Sequence, residues 1–312
     1  MKLARQINEI PFQKNSVLTI GTFDGVHLAH QTIIRKVVTL AKEHNGRSVV
    51  VTFEPHPREV VAPSGSNIQL LTTLQERQEF CETLGVDWFV VIPFDKDFSN
   101  LSFREFYVSY LIKSIGVSVV VEGYDHHWGR NREGTIDSLM QLGKEFEFDV
   151  VNIEPVIQNG QSVNSSRIRN ELLQGKVVDA AVLLGRPYSL RGTVVEGDRR
   201  GRLLGYPTAN VAPDSLKKLV PDNGIYFVKV DVGTEKYFGI TSIGVRPTFQ
   251  STGKRTIEVY ILDFHKDIYG SVIQIKFLRR MRDELKFDSA EELIQQMHKD
   301  KEVSNTLQHE YQ

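Results

Sequence analysis

SVLTIGTFDGVHLAH, from Ser16 to His30, reads as a buried strand, a glycine-bounded turn and the first turn of a helix. Val17, Leu18 and Ile20 form a short apolar run, Gly21 and Gly25 allow a tight turn with close backbone approach, and a helical pattern opens near Leu28. A helix that starts this way turns unpaired N–H groups and its positive dipole end toward whatever occupies the turn, an arrangement suited to phosphate. His27 and His30 lie about one helical turn apart at that start, so they can face one ligand. Two imidazoles there could stabilise charge developing on a phosphate under attack. Two other readings of the same residues stay open. Asp24 could simply cap the helix while the histidines pack or face water, or Asp24, His27 and His30 could be zinc ligands.

Outward from this segment the first half repeats its alternation. SVVVTF ending at Phe53, VDWFVVI ending at Ile92, VSVVVEG ending at Gly123 and FDVVNI ending at Ile153 are further apolar strand-like runs. Crossover helices are expected near Leu28 to Lys42, Leu74 to Leu84, Ser102 to Ser114 and Thr135 to Phe146. Buried strands separated by helical crossovers predict a parallel α/β sheet, Rossmann-like in architecture. From Arg186 onward SLRGTVVEG, GIYFVKVDV, KYFGITSIGV, TIEVYILDF and VIQIKFL follow one another without long helices, which predicts an antiparallel barrel. An amphipathic helix from Ser289 to His298, with Leu293, Ile294 and Met297 on one face, closes the pattern. The expected domains are residues 1–183 and 184–312.

At 312 residues, two domains fit ordinary domain sizes. A formal net charge of -1 supplies no broad basic field, so neither nucleic acid nor a membrane is expected as partner, while self-association stays open. Cys81, the only cysteine, cannot form an internal disulfide, which agrees with a reducing cytoplasm. No stretch approaches the roughly 18 uninterrupted apolar residues of a membrane span, and the N-terminus carries no apolar signal core.

A second chemical segment is GDRRGRLLGYPTAN, Gly197 to Asn210. It has neither the spacing nor the lysine of a P-loop. The oxygens of Thr208 and Asn210 nevertheless suit a hard magnesium ion shared with nucleotide phosphates. Without further context, PTAN reads as a turn and Glu258 as a solvent-facing strand residue.

These segments together resemble a known family. GTFDGVHLAH is similar to the HxGH-type motif of nucleotidyltransferases in the form found in bacterial bifunctional riboflavin kinase/FAD synthetases, and FEPHP (Phe53 to Pro57), GYDHHWG (Gly123 to Gly129) and NSSRIR (Asn164 to Arg169) follow in that family's order. GRLLGYPTAN is similar to the riboflavin kinase signature, and NGIYFV, GITSIGVRPTF, TIEVYILDF and RDELKF resemble later kinase segments. Ala29 stands where the family usually has glycine, His126 and Trp128 where it has phenylalanines, and Asn164 where it has serine.

The resemblance implies that riboflavin is phosphorylated by ATP to FMN, and that AMP from ATP is then transferred to FMN to give FAD, with Mg2+ as metal. It implies nucleotide contacts from Gly21, Phe23, Asp24, Gly25, Ser165, Ser166, Arg169 and Gly205, with His27 and His30 on the phosphates. It further implies flavin contacts from Asp125, Trp128, Arg282 and Glu284, magnesium held through ATP by Thr208 and Asn210, and Glu258 as the kinase's general base.

Overall fold

The structure, a computed structural model, describes residues 1–62, 68–124, 129, 133–197, 205–245 and 255–311. The chain divides into two compact units, Met1–Ser165 and Ser166–Gln312.

In the first unit β1 (Lys2–Ala4), β2 (Ser16–Ile20), β3 (Arg47–Glu54), β4 (Trp88–Pro93), β5 (Val119–Gly123) and β6 (Asp149–Ile153) form one sheet in the order β1-β4-β3-β2-β5-β6. Every pairing in it is parallel. The five strand runs read from the sequence are all strands; in β2 to β5 residues buried on both faces leave continuous Val/Ile-rich runs, while β6 lies at the sheet edge with no fully buried residue. β1 is short and was not foreseen.

Helices α1 (Leu28–Glu43), α2 (Pro57–Val61), α3 (Leu74–Thr83), α4 (Lys96–Ser99), α5 (Phe103–Phe106) and α6 (Ile136–Phe146) connect the strands. Ile34 and Val38 of α1 pack with Cys81 of α3 against Val50, Phe89 and Val91 on one sheet face. Phe103 and Phe106 of α5, with Leu139 and Leu142 of α6, pack against Leu18, Val49, Val90 and Val120 on the other. The crossover expected over Ser102 to Ser114 is α5 continued by a π-helix, Tyr107–Ile112. The sheet is thus covered on both faces, and its ligand crevice is expected at the carboxyl ends of the central strands, where chain direction switches. That is where β2 delivers Gly21 and β3 delivers Glu54. A short hairpin, β7 (Ile157–Gln158) and β8 (Gln161–Ser162), leads to α7 (Ser165–Leu173).

The second unit holds α8 (Val177–Leu184), then β9 (Tyr188–Val195), β10 (Ala209–Pro213), β11 (Gly224–Val232), β12 (Glu235–Val245), β13 (Arg255–Ile261) and β14 (Val272–Arg282). They close into a barrel in the order β10-β13-β12-β11-β14-β9, antiparallel throughout. Burial alternates along the strands: Ile257, Val259 and Ile261 of β13 are buried, while Glu258 and Tyr260 between them are partly exposed on the outer wall.

β10 corrects the reading of PTAN as a turn for its last two residues, with Pro207 and Thr208 leading into the strand. Ala209 and Asn210 pair with Val259 and Glu258 of β13, and the strand also pairs with β9. Gly192 of β9 shows how closely these walls approach, since a Cβ there would lie 2.4 Å from the backbone oxygen of Ala212. Gly192→Ala is therefore expected to cost roughly 1–3 kcal/mol through overpacking against backbone. Both tryptophans, Trp88 and Trp128, lie outside the barrel sequence. Tyrosine near-UV dichroism should thus record a lowered melting point while tryptophan emission does not; an unchanged tyrosine transition would refute the assignment.

The last helix, α9, runs over Ala290–Tyr311, well past the expected His298. The apolar face read from Leu293, Ile294 and Met297 is continued by buried Asp300 and Ser304 before Leu307. Asp300 is paired with Arg282, and the Ser304 hydroxyl donates to the Asp300 carbonyl at 2.9 Å. Polar residues satisfied in this way can occupy a buried face that an apolar pattern does not reveal.

Candidate active sites

Between β2 and α1 the backbone takes an unusual path. Phe23 and Val26 have φ of 47° and 37°, and Gly25 lies between them at 91°. Such conformations cost a non-glycine residue roughly 1–3 kcal/mol and persist only where surrounding contacts enforce them. The Asp24 carboxylate supplies that enforcement, accepting from the Leu71 N–H (3.1 Å), the Thr72 N–H (2.8 Å) and the Thr72 hydroxyl (3.1 Å). The Gly25 N–H donates to Thr72 Oγ1 at 2.7 Å. Asp24 is therefore not the helix cap.

His27 is the N-cap of α1, its Nδ1 accepting the His30 N–H at 3.4 Å. The two rings stack with centroids 3.6 Å apart and an interplanar angle of 19°. The sequence spacing thus does bring the imidazoles together at a helix N-terminus. The zinc reading finds no support, because Asp24 is turned toward Thr72 and the described residues contain no cluster of three or more His, Cys, Asp or Glu suited to a metal. Phe23 is also turned inward: its ring is fully buried and meets His30 edge-on at 5.2 Å. Of the expected nucleotide contacts in this loop, Phe23 and Asp24 have only backbone to offer.

Ser165 reaches the same loop from the far end of the unit, its hydroxyl donating to the Asp24 carbonyl at 2.9 Å. Ser166 and Arg169 continue α7 in the second unit, exposed and half-buried respectively. Asp125, His126 and Trp128 lie outside the described residues.

Sequence reasoning missed Arg77. Its guanidinium is buried and donates through Nη1 to the Thr22 carbonyl (2.9 Å) and Thr52 Oγ1 (3.0 Å), and through Nη2 to Glu54 (2.7 Å). It therefore ties the histidine-bearing loop to the start of FEPHP. The surrounding helix, LQERQEFCET, is polar enough to read as a surface segment, so nothing local marks the arginine. Cys81, one turn further, is buried, and burial pushes its thiol up to about 12, far from the range of a thiolate nucleophile.

The barrel's candidate groups meet at β10. The Thr208 hydroxyl donates to Glu258 Oε2 at 3.2 Å. Strand register places Asn210 and Ser242 on either side of Glu258. Two cavities share Thr208. The first, about 340 Å³, lies on the outer wall, lined by Tyr206, Ile240, Tyr260 and Glu258 and closed by Leu293 and Met297 of α9. The second, about 350 Å³, is lined by Val194, Ala209, Val259 and the segment Phe264–Tyr269.

Arg282 and Glu284 both line the first cavity. The Arg282 guanidinium is held by the Asp300 carboxylate, Nε at 2.9 Å and Nη2 at 2.7 Å, so it braces α9. Glu284 packs where Gly244 leaves room, since a Cβ at Gly244 would stand 1.8 Å from Glu284 Oε1. Gly205 is exposed with φ of 81°.

The two units correspond to two known families. The FAD synthetase family matches residues 9–167 and the riboflavin kinase family residues 184–308. A bifunctional riboflavin kinase/FMN adenylyltransferase of Listeria monocytogenes is 38% identical over 92% of this chain and 91% of its own. The chain belongs to this bifunctional family.

The Bacillus subtilis member is 36% identical over 93% of this chain and 92% of its own. Among solved structures, a Streptococcus pneumoniae chain described as a macrolide-efflux protein superposes with a TM-score of 0.89 at 32% identity, over 97% of this chain and 98% of that one. The shared fold is that of the bifunctional family. Among the described residues no helix is long and apolar enough to cross a membrane. Within the family frame, the apolar wall from Tyr206, Tyr260 and α9 was absent from the sequence-level site. The motif GYPTAN singled out Tyr206 as part of a signature, but only the folded barrel sets it beside Tyr260, with ring centroids 5.2 Å apart.

Proposed function

We propose that the barrel phosphorylates riboflavin at the Thr208–Glu258 pair and that the parallel-sheet unit adenylylates FMN at the His27–His30 pair, with the functional boundary at residues 183/184. The chain is a transferase with both activities. The observation that carries the kinase assignment is the hydroxyl–carboxylate contact placed where an aromatic-lined cavity and a second cavity share Thr208. A flavin ring suits the first, and a nucleotide suits the second.

In the kinase step the ribityl hydroxyl attacks the γ-phosphorus of ATP, its proton passes to Glu258, and ADP leaves. Thr208 donates its own proton to Glu258 and so keeps its oxygen lone pairs available. Together with the Asn210 carboxamide oxygen, that hydroxyl fits a hard cation carried by nucleotide phosphates better than a protein-only cage would. Magnesium bound there would neutralise phosphate charge. In the second step an FMN phosphate oxygen attacks the α-phosphorus of another ATP and pyrophosphate leaves, forming FAD. The stacked imidazoles and the N-terminus of α1 stabilise the charge on the transferring group, and no protein nucleophile is required. A cytoplasmic setting accords with the single buried cysteine.

A chromatographic time course from riboflavin, ATP and magnesium tests this directly. Riboflavin should decline as FMN rises, with FAD following. Absence of FMN would reject the kinase assignment. FMN without FAD would confine the chain to its kinase half and point to Ala29, His126, Trp128 and Asn164 as the cause.

A further inference from the structure

Tyr206 and His298 make a contact that neither reaction requires. The Tyr206 hydroxyl lies 2.7 Å from His298 Nδ1, and their ring centroids are 5.5 Å apart at 76°. Burial, with Tyr260 adding to it, raises the pKa of the Tyr206 phenol, so its O–H remains available to the imidazole at neutral pH.

The position of this bond in the chain gives it mechanical meaning. His298 follows Met297, which closes the flavin-side cavity, and sits on the same helical turn as Asp300, which is anchored to Arg282 at the end of β14. Gln296 donates to the same Asp300 carboxylate at 2.9 Å. On the other side, Tyr206 is separated from Thr208 only by Pro207, whose ring restricts φ. With that φ fixed, fewer torsions lie between Tyr206 and Thr208 to absorb a shift of Tyr206 before it reaches the Thr208–Glu258 contact. A ring entering against Leu293 and Met297 would bear on the turn that carries His298.

We propose that the Tyr206–His298 hydrogen bond couples the two substrates of the kinase, an occupied flavin cavity setting Thr208 for the nucleotide and the reverse. This rests on the assignment of flavin and nucleotide to the two cavities that share Thr208. Both are positioning residues, and the coupling is reciprocal, as linkage requires. Its consequence is that the nucleotide binds severalfold more tightly when an acceptor alcohol is present.

The test is initial-rate FMN formation, counted as FMN plus FAD, over a grid of riboflavin and ATP concentrations with the full chain. The coupling factor is the ratio by which saturation with one substrate lowers the half-saturation of the other. For the unmodified chain we expect about fivefold or more, the equivalent of a neutral hydrogen bond worth about 1 kcal/mol. Tyr206→Phe should bring the factor toward one, His298→Leu should do the same, and His298→Asn, which can place a polar atom near Nδ1, should restore most of it. The Tyr206→Phe/His298→Leu pair should lose no more coupling than either alone. FAD formation from supplied FMN serves as an internal control and should not change.

Three results overturn the proposal: no coupling in the unmodified chain, a full coupling factor in Tyr206→Phe with both half-saturation values raised together, or unlike behaviour of Tyr206→Phe and His298→Leu. Failure of the unmodified chain to form FMN would instead strike the kinase assignment itself.

Discussion

Replacing Glu258 by glutamine is expected to slow FMN formation by about 10²- to 10⁴-fold, the usual contribution of a positioned general base. Glutamine keeps the size of the side chain and can still accept a hydrogen bond from Thr208, so the barrel wall is conserved and only the proton acceptor is removed. The loss should appear in kcat, with little change in the half-saturation for ATP, because the proton moves in the transition state. FAD formation from supplied FMN should remain within about twofold, since no part of that chemistry uses Glu258. Initial rates resolved by chromatography, with riboflavin or FMN as starting flavin, measure both. Equal loss of the two activities would contradict separate sites, and a loss under tenfold would remove Glu258 from the role of base.

The parts of this molecule that were legible in the sequence are those whose causes are local. Parallel strands buried on both faces are written as runs such as SVVVTF, and α1 begins where the glycine turn ends, so the first unit's architecture could be read residue by residue. The paired histidines were legible for the same reason, because helical spacing alone brings positions 27 and 30 to one end. β10 was not. Pro207, just before it, and Asn210 favour a turn, and strand geometry comes from pairing with β9 and β13, partners far away in sequence.

Three side chains show how the site escapes a local reading. Asp24 looked like a cap or a ligand but stabilises a strained loop through a segment nearly fifty residues away. Arg77 sits in a polar helix and clamps two motif loops from below. Asp300 interrupts the apolar face of α9, yet that interruption is what fastens the helix over the cavity lined by Tyr206 and Tyr260. Each is a polar residue buried against a specific partner, and hydrophobic periodicity carries no record of such pairs.

His27→Asn is expected to lower FAD formation by about 10²-fold or more while leaving FMN formation intact, the scale seen when one preorganised charge-stabilising donor is removed. Asparagine is chosen because His27 is also the N-cap of α1, and alanine would remove the cap together with the imidazole. Loss of a cap costs about 1 kcal/mol, whereas asparagine is among the best capping residues. Emission from Trp88, in β4 of the same unit, should therefore melt at nearly the same temperature as in the unmodified chain. A rate loss with an unchanged melting point assigns the effect to the phosphate chemistry; full retention of adenylyl transfer rejects that role. The stacking distance of 3.6 Å adds a sharper expectation, because two rings so close can act on the same developing charge. If they work as one unit, His27→Asn combined with His30→Gln should lose little more than the more damaging single change, the non-additivity of groups that serve one transition state. Fully multiplicative losses would mean instead that the imidazoles serve different oxygens, and that their stacking is a matter of packing alone.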